Sequence, residues 1–436
     1  MPFKFIDLFA GIGGFHGALS ALGGDCVWAS EIDEKAAIVY SRNWGTQPAG
    51  DIVALTEPKV STKIPNHDIL TGGFPCQPFS KSGKQHGFKD TTRGTLFFNI
   101  CQILDARKPS IVFLENVRNL AGPRQKETWM TIIRELRNLG YRVSDVPTVF
   151  SPHLLPPEMG GAPQVRERVF IVGTFVGKER AWAESDILPV VEHRPVLGFD
   201  PQLWDVSTIL DKDRDIKNLR QYKLSATEEL WLSAWNDFVE VLIEERAGVR
   251  LPGFPLWSDD FVAKPKIPRG TPEWKADFLR KNSAFYVQHK KSIDRWKKRW
   301  NNLSEFPPSR RKLEWQAQDA TSIWDCVIHL RPSGIRVKRA TYLPALVAIT
   351  QTSIYGPKKR RITPHEAKRL QGFPETFDFG DQKDAVSYKQ LGNAVSLGAA
   401  YYVLRQHVLN DQADLKKIAP KLVKAILNAG DKPIIK

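Results

Sequence analysis

The chain has 436 residues, room for two or three domains, and 42% of them are hydrophobic, enough to bury a sizeable core. Its formal net charge of +15 favours a polyanionic partner, most simply nucleic acid, the alternative being ordinary solubilising charge. No run approaches the ~18 consecutive apolar residues of a membrane span, and Cys26, Cys76, Cys101 and Cys326 show neither CxxC pairing nor a disulfide-framework spacing. That cysteine pattern predicts reduced thiols in a cytoplasm, and the start, "MPFKFIDLFAG", reads without the basic n-region and cleavage site of a signal peptide.

In chain order, short apolar runs alternate with helical periods. "FKFIDLF" reads as a strand, followed by a glycine turn and a helix with Phe15, Ala18, Leu19 and Leu22 on one face. "CVWAS" is a second strand and residues 34–43 a second helix. "HDILTGGF" is a strand, "GTLFFNICQIL" a helix, "SIVFLEN" a strand, "TWMTIIRELRNLG" a helix and "ERVFIVGTF" a late strand. This alternation predicts an α/β fold with a doubly wound, mostly parallel sheet over residues 1–177. From 178 to 355 the texture is irregular and rich in Trp and Pro, which predicts a smaller inserted domain. Residues 356–410 read as helices returning to the first domain, and 411–436 as a basic helix and tail.

In such a sheet ligands bind beyond the carboxyl ends of the strands. The turn "FAGIGG", with Gly11 and Gly13, follows the first strand, Glu31 the second, Cys76 the "DILTGGF" strand and Glu115 the "SIVFL" strand, so all converge on one edge. The turn is not a full GxGxxG, since His16 takes the last glycine's place; alone it is equally a tight turn opening a helix. With Glu31 placed to accept from ribose hydroxyls and Asp51 from an adenine amine, it points to an adenosine-bearing cofactor. Cys76 sits between Pro75 and Pro78 in "GGFPCQPFS", a stiff setting for a thiol that only fills space. The following stretch carries Gly83, Gly87 and Gly94, as a lid would, and Lys81, Lys84 and Lys89 for phosphates. A thiolate with a carboxylic acid near it suits attack on an electron-poor, protonatable ring.

The blocks "DLFAGIGGF", "GGFPCQPFS", "ENV", "QVRERVFIVG", "RRITPHEAKRLQGFP" and "QLGNAVS" resemble, in order, those of the C5-cytosine-specific DNA methyltransferases of bacterial restriction–modification systems. The resemblance implies a Rossmann-like S-adenosyl-L-methionine-dependent sheet with an inserted target-recognition domain. It implies that Cys76 attacks C6 of a flipped cytosine, that Glu115 holds the N3 edge and that Arg168 sits at O2 with Arg166 beside it. For the cofactor it implies Phe9 on adenine, Glu31 on ribose, Asp51 on the amine, and Gly11, Gly13, Ile32, Ile52, Leu96 and Asn393 around them. Ser80 and Ser82 would face the DNA with Lys84, and Gln164 the backbone. The implied partner is double-stranded DNA, met by a monomer, with a cognate restriction endonuclease acting separately. No metal is implied, because the histidines lack ligand spacing.

The sequence departs from the family at two places. Ile32 stands where many relatives carry an aromatic residue on the adenine. "YLPALVA" is the nearest match to the family's "TL" recognition dipeptide, with Ala345 in place of threonine. Basic clusters at 290–299, 310–312 and 331–339 suit phosphate contacts. Within the last, Arg336, Lys338 and Arg339 are candidates for contacts to DNA, arginine reaching guanine O6 and N7. A non-catalytic DNA-binding module and a tRNA cytosine methyltransferase stand as alternatives, disfavoured by the intact chemistry and by the long insert respectively.

Overall fold

The computed structural model describes residues 3–56, 63–75, 96–184, 189–192, 195–346 and 352–435. The chain divides into two compact units: one is Met1–Trp204, Pro344–Ile349 and Ala367–Lys436, the other Asp205–Leu343 and Thr350–Glu366.

The first unit is built on a seven-stranded sheet of β1 (Phe3–Leu8), β2 (Gly24–Ser30), β3 (Ile69–Gly72), β4 (Ile111–Val117), β5 (Tyr141–Val143), β6 (Thr148–Phe150) and, after the two-residue β7 (Gln164–Val165), β8 (Arg168–Phe175). The order is β2-β1-β3-β4-β8-β5, with β6 also on β8. β2, β1, β3 and β4 run parallel, whereas β8 is antiparallel to β4, and β5 and β6 to β8. The late strand was therefore expected, but its direction and its two short partners were not.

Alternation along the strands feeds two apolar layers. Phe3, Phe5, Ile69, Ile111 and Phe113 pack against α1 (Gly14–Ala21) on one face; Ile6, Leu8, Leu70, Val112 and Leu114 face the opposite layer. Between β2 and β3 lie α2 (Glu34–Trp44) and α3 (Ile52–Leu55); α4 (Leu96–Arg107) and α5 (Lys126–Asn138) cover the second face with Phe97, Ile100, Ile132 and Leu136. The stretch 178–204, expected in the insert, belongs to this unit. There α6 (Lys178–Ala183) buries Ala181, its Arg180 pairs with Asp414 at 2.9 Å, and Trp204 Nε1 donates to the His153 carbonyl at 3.0 Å.

The second unit holds α7 (Ala226–Glu245), α8 (Glu273–Gln288) and α9 (Lys290–Arg299) with β9 (Leu256–Trp257), β10 (Lys312–Gln316), β11 (Cys326–Arg331) and β12 (Gly334–Arg339). After β13 (Leu343–Pro344), β14 (Ile354–Tyr355) and β15 (Arg360–Arg361) complete a six-stranded sheet ordered β15-β14-β11-β12-β10-β9. Its core is aromatic: Trp235, Phe238 and Trp296 interlock, with Trp235 and Trp296 centroids 5.2 Å apart, and Trp315 is buried in the same cluster. Trp274, by contrast, is 62% exposed.

The chain then runs through α10 (Pro364–Leu370), α11 (Asp384–Asn393) and α12 (Leu397–Asn410) to α13 (Gln412–Ile418) and α14 (Pro420–Asn428). Residues 411–436, expected as a basic helix and tail, hold these last two helices. Leu415, Leu422, Val423 and Ile426 are buried in the layer that carries α1 and α12, leaving the lysines outside.

Candidate active site

The strand order reverses at β1, and the crevice beyond the carboxyl ends of β1, β2 and β3 is the place where such sheets bind ligands. A cavity of about 520 Å³ lies there. Its floor is the turn after β1. Gly13 takes φ 91°, and a Cβ on it would lie 2.0 Å from Trp44 Nε1, which itself donates to the Ile12 carbonyl at 2.9 Å. Only glycine permits that approach. Glu31 braces the turn: Oε2 accepts from Gly11 N at 2.7 Å and Oε1 from Asp33 N at 2.8 Å. Each oxygen keeps a further lone pair. Asp51 is the N-cap of α3, accepting from Val53 N at 2.9 Å through one oxygen, and it carries the buried Ile52 into the wall.

The other wall is acidic and basic at once. Glu115, on β4, is 7% exposed, and its Oε1 lies 3.0 Å from Arg168 Nε. Burial raises the Glu115 pKa above the ordinary carboxylate value, with Arg168 and Arg166 pulling the other way. Asn116 Nδ2 donates to the Phe74 carbonyl at 2.8 Å, tying the loop after β3 to β4. A Cβ on Gly73 would stand 3.7 Å from Glu115 Oε2. Pro75, immediately before Cys76, and Leu96 both line the cavity. Cys76, Ser80, Ser82 and Lys84 lie outside the described residues. The other three thiols are unsuited to attack: burial first of all pushes Cys26 and Cys326 up to about 12 and raises Cys101 too.

The chain matches the family described as C-5 cytosine-specific DNA methylase over residues 3–408. It belongs to that family. Its activity is thus DNA cytosine-5 methylation, on the Rossmann-like fold expected from the sequence. Among similar proteins, the type II methyltransferase M.AluI of Cellulosimicrobium cellulans is 44% identical over 98% of this chain and 96% of its own length. M.HpaII of Haemophilus parainfluenzae is 48% identical over 96% and 90%, and M.BanI of Aneurinibacillus aneurinilyticus 31% identical over 95% and 98%. Among solved structures, a putative DNA modification methyltransferase encoded within an E. coli prophage shares the fold, with TM-score 0.51 and 21% identity over 93% of this chain and 98% of that one.

In this methylase the expected cofactor residues Phe9, Gly11, Glu31, Ile32, Asp51, Ile52, Leu96 and Asn393 all line the one cavity, and Gly13 lies behind it against Trp44. Sequence reasoning missed most of the α11 face. Val386, Lys389, Gln390 and Asn393 stand at i, i+3, i+4 and i+7 and all line the cavity; that helical spacing was the available signal.

Arg166 occupies a place the sequence did not disclose. It is 2% exposed, and its Nη2 donates to the Gly392 and Ala394 carbonyls at 2.9 and 2.6 Å, its Nη1 to Leu346 O at 3.3 Å. It clamps the end of α11 that presents Asn393. Burial foremost, then Arg168, lowers its pKa to about 9, with Glu115 opposing. Gln164, expected toward the DNA backbone, is fully buried, and neither amide atom has a hydrogen-bond partner among the described residues.

In the second unit, Arg336 pairs with Glu314 at 2.8 Å, Arg339 with Asp319, and Lys338 lies 5.7 Å over the Tyr342 ring. Among the described residues, no group of three or more His, Cys, Asp or Glu is placed to hold a metal, and no helix is long and apolar enough to cross a membrane.

Proposed function

We propose that this methylase uses S-adenosyl-L-methionine to modify one cytosine within a specific duplex word, as the modification enzyme of a type II restriction–modification system. The relatives named as type II methyltransferases support the system; a separate cognate endonuclease, a monomeric state and a cytoplasmic setting follow from the same reading. Glu115 carries the reading of the chemistry. It is a buried, pKa-raised acid held by Arg168, on the wall shared with the residue preceding Cys76.

The cavity fits the cofactor. About 520 Å³ is within the ordinary range for a small-molecule site, and the lining joins apolar surface to acceptors. Phe9, Ile32, Ile52 and Leu96 would offer surface to an adenine, the spare lone pairs of Glu31 would accept from ribose hydroxyls, and the second oxygen of Asp51 would accept from the amine. Asn393 closes the pocket from α11. When bound, S-adenosyl-L-methionine supplies the electrophilic methyl group that C5 accepts.

On the base, the Cys76 thiolate forms a bond to C6, and electron density moves into the ring. Glu115, protonated, shares its proton with N3 as negative charge develops there, and Arg168 holds O2. Arg168 also keeps the Glu115 carboxyl in one orientation. Loss of the C5 proton to water returns the electron pair, breaks the bond between sulfur and C6, and frees Cys76. The second unit reads the word, with Arg336 and Lys338 toward the duplex.

Transfer of labelled methyl from S-adenosyl-L-methionine to duplex DNA and to tRNA tests the proposal. Incorporation into DNA is expected, and conversion sequencing of DNA from expressing cells reveals the word. Incorporation into tRNA alone would overturn it.

A further inference from the structure

Where β10 and β12 pair, the sheet of the second unit has one apolar and one polar face. On β10 and β12, Leu313 pairs with Ile335 and Trp315 with Val337, all four buried in the core. The alternate positions face the other way: Glu314 stands beside Arg336, and Gln316 beside Lys338. His329 of β11 flanks Arg336 on its other side, and Arg331 follows two residues on. Arg339, one residue past Lys338, belongs to the opposite parity, where it pairs with Asp319. The three basic candidates of β12 are therefore split two and one.

Glu314 is the hub of the polar face. It accepts from Arg331 and from Arg336, the latter at 2.8 Å, and from the Gln316 amide. Its side chain is 17% exposed, while those of Arg331 and Arg336 remain 30% and 33% exposed. Both arginines are thus paired with the carboxylate while their side chains stay partly exposed.

A carboxylate in the middle of a basic face opposes attraction to a polyanion. Affinity for DNA does not explain it, but orientation does. Arginine reads guanine through two parallel N–H bonds to O6 and N7, which demands a fixed plane. A free arginine must lose rotamer freedom to reach that plane, and one already held by a carboxylate loses less.

We propose that Glu314 is a positioning residue for specificity, holding Arg336 and Arg331 in the orientation that reads guanine edges of the target word. The inference rests on the reading that the second unit contacts DNA through β12. Glu314 gives up affinity in exchange for discrimination, so its loss affects the two in opposite directions.

The test compares wild type, Glu314→Gln, Glu314→Asp and Arg336→Ala, using the word found by conversion sequencing and duplexes that differ from it by one base pair. In Glu314→Gln, the ratio of kcat/KM on the cognate duplex to that on the altered ones should fall by about tenfold, the scale of one misaligned bidentate contact. Binding to a random-sequence duplex should be as tight as in wild type or tighter, and S-adenosylhomocysteine binding unchanged. Glu314→Asp, which keeps the charge on a shorter arm, should fall between. A purely structural ion pair would lower thermal stability without moving the ratio. Wild-type discrimination in Glu314→Gln, alongside relaxed discrimination in Arg336→Ala, would overturn the role of Glu314 alone. If Arg336→Ala changes neither discrimination nor salt dependence, the underlying reading of β12 fails instead. If Glu314→Gln does not fold, full discrimination in Glu314→Asp overturns the inference.

Discussion

Glu115 and Arg168 meet at 3.0 Å on neighbouring antiparallel strands, with the acid almost closed to solvent. Burial favours the neutral carboxyl and the guanidinium favours the anion; burial prevails. An acid so balanced retains its proton to a higher pH than an ordinary carboxyl yet can share it when an adjacent ring gains charge.

Glu115→Gln should therefore keep cytosine binding and slow the chemical step by about 10²–10⁴-fold, the usual contribution of a positioned proton donor. In wild type, the single-turnover rate should decline as pH rises through the raised Glu115 pKa, because the acid form is lost there. The glutamine variant should lack that limb. An unchanged chemical step would remove the acid role.

Cys76→Ser should abolish transfer and leave DNA binding intact, since an alcohol is far less ionised than a thiol at neutral pH. A duplex bearing 5-fluorocytosine should trap wild-type protein covalently and not the variant. Trapping in the variant at the wild-type rate would assign the attack elsewhere. Exchange of Cys26, Cys101 or Cys326 for alanine should leave trapping intact, because burial keeps all three protonated.

Glu31→Ala should weaken S-adenosylhomocysteine binding at least tenfold by calorimetry. It removes the acceptor for a ribose and also the brace on Gly11 N and Asp33 N; each lost bond is worth about 1 kcal/mol. Asp51→Ala removes both a cap and an acceptor, at about 1 kcal/mol for the cap. Asp51→Asn retains the cap, so any remaining loss of affinity reports contact with the ligand. Wild-type affinity in all three variants would place the pocket elsewhere.

Arg166→Lys should loosen the clamp on α11, because one ammonium cannot reproduce the planar fork that spans Gly392 O and Ala394 O. Stability should drop by about 1–3 kcal/mol as buried carbonyls lose partners, and cofactor affinity should fall through Asn393. Denaturant titration and calorimetry measure the two. A loss of kcat with unaltered stability and cofactor affinity would instead indicate direct contact with the base.

The α/β class, the four parallel strands and the convergence of Gly11, Glu31 and Glu115 on one edge were all legible in the sequence. Each depends on local information: apolar runs of strand length, helical periods, and residues placed just after or within a strand whose carboxyl end faces the crevice. The three-residue β5 and β6 were not legible, being too short for alternation to register. The unit boundary was not legible either, because residues 178–204 look irregular yet are held by contacts such as Trp204 to His153 and Arg180 to Asp414. Only the tertiary structure could assign Arg166 to carbonyls 226 and 228 residues away, or show that Glu314 stands between Arg331 and Arg336. Sequence spacing carries the period of a helix or strand, but which charge meets which is decided by strand order and burial, and those emerge only when distant segments pack.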